Sequence, residues 1–145
     1  MSIDAANLTG MSQAQLDDLF SHGTVGPVPV GDADGTAIVV PGRAFSAVLA
    51  KLIRIAAWQG KVFDAEGRGL RNKVTPFRIK AIRAAVYKEQ SWFDRNECIV
   101  LDYSKTSLVA RWIRDEIREV EPGRFLGIVY WGNRKLVNFF LVFPD

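Results

Sequence analysis

Residues 112–143 read WIRDEIREVEPGRFLGIVYWGNRKLVNFFLVF, and the fold turns on how this stretch is taken. Two short breaks, Pro122-Gly123 and Gly132-Asn133, split it into three segments of ten, eight and ten residues. Connections of that length force neighbouring strands into antiparallel hairpins. The first segment is ambiguous on periodicity alone, because Val109, Ile113, Ile117 and Val120 also fit one face of a helix. Its β-branched residues and the EPGR turn that follows favour a strand.

Working back from there, the period stays close to two as far as Gly60. Further strands are expected over residues 61–64, 70–75, 79–87 and 97–103, separated by AEGRG and KEQSWFDRN, with the three above at 112–120, 125–131 and 136–143. Upstream of Gly60 the pattern is helical. Phe45, Val48, Leu49, Leu52, Ile53 and Ala56 form an apolar stripe, which predicts an amphipathic helix over 43–58. A short helix is expected over 12–21, capped by Ser12 with Gln15 in capping-box position. Between the helices, GPVPVGDADG (26–35) is too rich in glycine and proline for regular structure, and TAIVV (36–40) gives one more short strand. The chain thus reads as one mainly β (or α+β) domain over 1–145: a curved antiparallel sheet or small barrel with one amphipathic helix and a short N-terminal one. Small barrels either fill their interior with side chains or hold one small ligand.

Composition narrows the chemistry. The chain has 145 residues, 48% hydrophobic and 24% charged, with one cysteine and one histidine. Cys98 has no partner for an internal disulfide, a thiolate–imidazole zinc site cannot be assembled, and a triad has only the lone His22 to draw on. No metal and no cofactor are expected. YSKTS (103–107) lacks the glycines of a phosphate loop. The sequence shows no span-length apolar run and no secretion signal, so a cytoplasmic protein is expected. Residues 1–60 carry three basic and five acidic side chains, whereas residues 61–145 carry 16 and 11. The basic half could attract phosphates, but no block of five like charges appears, so a nucleic-acid partner is not expected. The sequence does not set the oligomeric state.

Strand alternation nominates polar groups for the barrel interior. Asn72 shares a face with Leu70 and Val74. Asp115 shares one with Ile113 and Ile117, which sends Arg114 and Glu116 outward. Asp102 shares one with Cys98 and Val100. A carboxylate inside a barrel needs a cation or donors beside it, and Lys61, Arg111, Arg114 or Tyr130 could serve. The competing reading is structural: Asp102 opens a turn into Ser104, and Asp115 joins a surface charge ladder. The ligand-binding candidates are Trp58, Lys61, Asn72, Tyr103, Arg114 and Asp115, with aromatics lining the pocket. Asp102, Asp115 and Tyr130 are candidates for proton transfer. The reading that follows is a barrel binding an apolar or aromatic small molecule with a polar end; the alternative is a cofactor-independent acid/base enzyme of isomerase or decarboxylase type.

The motifs WQGKVF (58–63), CIVLDYSKTS (98–107), IRDEIREVEPG (113–123) and LGIVYWG (126–132) resemble a family of uncharacterised, largely actinobacterial proteins. More distantly, the layout is similar to GXWXG-domain proteins of unknown function, in which a glycine-rich start also precedes a tryptophan–glycine–lysine–phenylalanine signature and a series of strands. GPVPVGDADG lacks the tryptophan of that name. Both resemblances imply a lipocalin-like barrel and imply no reaction.

Overall fold

The computed structural model describes residues 3–38, 58–66, 68–74, 79–106 and 111–144. The deciding stretch is strand throughout: β6 (Ile113–Glu121), β7 (Arg124–Trp131) and β8 (Arg134–Val142). Their two connections each turn at a glycine in the left-handed region, Gly123 at φ 76° and Gly132 at φ 61°. Ahead of them lie β1 (Gly31–Ile38), β2 (Trp58–Phe63), β3 (Gly69–Val74), β4 (Ile79–Gln90) and β5 (Glu97–Asp102). All neighbours are antiparallel, and β1 pairs with β8 as well as β2, so the eight strands close into a barrel. Closure leaves no free sheet edge.

Closure also explains why residues 31–35 are strand and not the irregular segment their glycines suggest. The first half of β1 is held by β2 (Gly31↔Phe63 to Asp34↔Gly60) and the second by β8 (Asp34↔Val142 to Ile38↔Asn138). Pairing on both sides outweighs a weak local preference. Gly60 makes this possible: at φ 138° a Cβ there would lie 2.1 Å from the Ala33 carbonyl oxygen. The expected amphipathic helix falls at 43–57, outside the described residues. Its last position, Trp58, is corrected to the first residue of β2, on the far side of a register shift before Gly60.

The N-terminus carries two short helices. α2 (Gln13–Ser21) has the expected Ser12–Gln15 capping box, and α1 (Ala5–Thr9) has a second one between Asp4 and Asn7 that the sequence reading did not pick out. Leu8, Leu16 and Phe20 pack on Ile38, Leu126, Ile128, Tyr130 and Phe140, forming an apolar layer outside the barrel. A separate cluster lines the inside with residues from all eight strands, among them Ala33, Phe63, Leu70, Val86, Leu101, Ile117, Phe125 and Phe139. Both faces of β7 and β8 are therefore buried. Among the described residues no helix is long and apolar enough to cross a membrane.

The two ends of the barrel differ in chemistry. Where β2 ends and β7 begins, Val25 and Val28 pack on the interior cluster, and Phe143 contacts both Phe63 and Phe125 with ring centroids 5.6 Å apart. Thr24 and Glu119 exchange two backbone hydrogen bonds there and hold the segment in place. That end is apolar. The polar interior groups lie toward the other end, where β5 finishes and β6 starts.

Candidate functional site

Alternation along four strands converges on one point inside the barrel. Lys61 comes from the middle of β2 and Asn72 from β3, facing each other in the ladder. Tyr103 follows the last residue of β5, and Asp115 is the third residue of β6, opposite Leu101 on one side and Val129 on the other. All four are at most 5% exposed.

Lys61 Nζ donates to Asn72 Oδ1 at 2.7 Å and to the Tyr103 hydroxyl at 2.7 Å. It lies 3.0 Å from Asp115 Oδ2. Asn72 Nδ2 donates to the Tyr103 oxygen at 2.9 Å, and the Tyr103 hydroxyl donates onward to Asp115 Oδ2 at 3.3 Å. Lys61 also sits 5.2 Å from the centre of the Phe139 ring, within cation–π range. One atom stands apart. Asp115 Oδ1 is buried and has no hydrogen-bond partner among the described residues.

Burial sets the protonation of the group. It holds the Asp115 carboxyl above the usual carboxylate range, with Lys61 and the Tyr103 hydroxyl pulling the other way. Burial also opposes the charge on Lys61, but Tyr103 and Asp115 outweigh it and keep the ammonium above lysine's ordinary range. Burial pushes the Tyr103 phenol up to about 12, so it is neutral at physiological pH. The arrangement is a charge-balanced ammonium–carboxylate pair bridged by a phenol and an amide.

A solved structure of a protein from Thermomonospora curvata is similar to this chain, with a TM-score of 0.65 over 93% of this chain and 89% of that one. What the two share is the fold. At 16% identity the likeness goes no further. It accords with the actinobacterial resemblance read from the motifs, and it does not bear on the GXWXG proteins. No protein-family model matches the chain, and no curated protein matches it.

The other nominated residues fall elsewhere. Asp102 is corrected to the outer face of β5, opposite the interior residues Ile99, Leu101 and Tyr103. It accepts from the Tyr87 hydroxyl at 2.8 Å and from the Ser104 backbone N–H at 2.9 Å, the turn-opening role of the structural reading. Tyr130 is also outside, packed against α2 and edge-on to Trp92 at 5.3 Å. The wall of the barrel separates it from Asp115, so the two form no acid/base pair. Arg114 is outside too, 9% exposed, with its guanidinium 4.2 Å from the Trp92 ring centre. The side chain of Trp58 lies outside the described residues.

Glu116 points away from the interior as expected, yet it is fully buried. It accepts from Ser91 Oγ at 2.5 Å, from the Trp92 backbone N–H at 2.8 Å and from the Arg114 guanidinium at 3.0 Å. Its neighbour Arg118 is 1% exposed and grips Asp94 with two bonds of 2.6 Å while donating to the Phe20 carbonyl of α2. Together these bonds clamp the 91–96 turn and α2 onto the barrel wall. The signal for this cover was present in the unbroken apolar runs FLGIVYW and FFLVF, which leave no strand face free for water.

Proposed function

We propose that the barrel is a lipocalin-like binding module for a small apolar or aromatic molecule, with Lys61, Asn72, Tyr103 and Asp115 holding the molecule's polar end. The observation that carries this reading is the unpartnered Asp115 Oδ1. A buried polar atom without a partner costs about 1–3 kcal/mol, and native interiors keep few of them. Here the orphan lies beside three well-bonded polar groups and among apolar walls. A few convergent polar groups in an apolar cavity are the usual make-up of a small-molecule site.

Native mass spectrometry of the purified protein tests this reading. A small organic adduct, released on denaturation and depleted in Asp115→Ala, is the expected result. A bare mass under all gentle ionisation conditions contradicts it.

A second reading, cofactor-independent proton transfer, draws support from the raised Asp115 carboxyl, one of whose oxygens has no partner among the described residues. It would use Asp115 and Tyr103, because Asp102 and Tyr130 lie on the other side of the wall. The two readings separate on the recovered molecule. Binding alone returns it unchanged after incubation with fresh protein, whereas an enzyme converts it and Asp115→Asn does not.

A further inference from the structure

We infer that the polar end taken by this site is a neutral hydrogen-bond donor, an alcohol or phenol hydroxyl, and that the barrel rejects the carboxylate of the same carbon skeleton. This inference rests on the binding reading above and narrows it to a ligand class.

The direction of each hydrogen bond carries the argument. Lys61 donates to Asn72 and Tyr103 and faces Asp115 Oδ2. Tyr103 spends its one hydroxyl proton on Asp115 Oδ2 and receives from both Lys61 and Asn72. These bonds are directed within the group, and the atom left without a partner among the described residues, Asp115 Oδ1, is an acceptor when the carboxylate is ionised. A ligand meets that atom by supplying a proton of its own.

Charge narrows the choice further. The Lys61 ammonium and Asp115 carboxylate already balance at 3.0 Å, with both side chains 4% exposed. A ligand carboxylate would set two anions against one buried cation, and like charges at that distance cannot both stay ionised in a dry site. A ligand ammonium would place a second cation beside Lys61, with the same difficulty in the opposite sign. A hydroxyl brings a donor and no net charge. Leu101 and Val129, which flank Asp115 in the ladder, and Phe139, facing Lys61, give the rest of the molecule apolar surroundings.

Matched probes test this by isothermal titration at neutral pH. One series is 4-propylphenol, 4-propylanisole and 4-propylbenzoate; the other is 1-octanol, octyl methyl ether and octanoate. The hydroxyl compound of a series should bind at least about tenfold tighter than its ether, which cannot donate, and than its carboxylate. In Asp115→Asn, checked for folding by circular dichroism, the preference for hydroxyl over ether should collapse. The carboxylate should gain at least about tenfold there, because the Asp115 negative charge no longer opposes it. Should the variant fail to fold, the wild-type comparison decides alone. A carboxylate that binds wild type as tightly as its alcohol overturns the inference and leaves the binding reading standing. Binding by neither series overturns the inference as stated, whereas a bare mass in the native spectrum is what removes the reading beneath it.

Discussion

Removing either member of the Lys61–Asp115 pair should cost far more than removing both. At 3.0 Å and an effective dielectric of about 20, the attraction between the two charges is about 5 kcal/mol. Taking two ions out of water costs several kcal/mol each, so the intact pair adds little net stability. Loss of one partner leaves the other's desolvation uncompensated. Lys61→Met and Asp115→Asn should therefore each lose about 3 kcal/mol or more, and the double variant should lose less than the sum by at least about 2 kcal/mol. In Lys61→Met the remaining carboxyl escapes part of the penalty by taking up a proton. Its folded pKa then lies further above the unfolded value, so the stability gained by protonation is present at low pH and lost as pH rises through the folded pKa. Urea unfolding of the four proteins at two pH values, with midpoints and slopes compared, measures all of this. Strictly additive losses, or single losses within about 0.5 kcal/mol, would refute a buried and coupled pair.

Three further outcomes follow from the outer wall. Glu116→Ala should destabilise by about 3 kcal/mol or more in urea, because Ser91 Oγ and the Trp92 N–H lose their acceptor and the buried Arg114 loses its buried counter-charge; an exposed strand residue would cost within about 0.5 kcal/mol. Asp94 is held below the usual carboxylate range by its hydrogen bonds from Arg118, so its contribution, about 2 kcal/mol, is present above the unfolded carboxylate pKa and lost as pH falls through the folded one. Asp94→Asn should lack that part of the acid sensitivity, and an unchanged difference from wild type between pH 7 and pH 2 would count against the clamp. Burial pushes the Cys98 thiol up to about 12, so a thiol-specific disulfide reagent at pH 8 should label it in urea and not in the native protein.

The hairpins were legible because glycine and proline sit where the chain must turn sharply, and Ile113 and Ile117 sufficed to place Asp115 inside. Asn72 was found the same way, through Leu70. Asp102 was misplaced because every residue from Cys98 to Leu101 is buried. Where both faces of a strand are apolar, alternation has nothing to alternate between. Glu116 faces outward as alternation predicts and is nonetheless buried, because whether an outward residue meets water depends on what covers the wall. Here the cover comes from α2 and the 91–96 turn, which are distant in sequence. The strand at 31–35 was hidden because its pairing is supplied by β2 and β8, not by its own composition. The Lys61–Tyr103 contact, 42 residues apart, follows only from closure of the barrel.

The central claim, that the interior group receives a ligand, is tested most directly by a high-resolution crystal structure of the protein as purified, read at Asp115 Oδ1. The account predicts density larger than a water, with a polar atom about 2.6–3.2 Å from that oxygen and an apolar body running into the barrel. A lone water bonded to Oδ1, or side chains closed over it, would contradict the account.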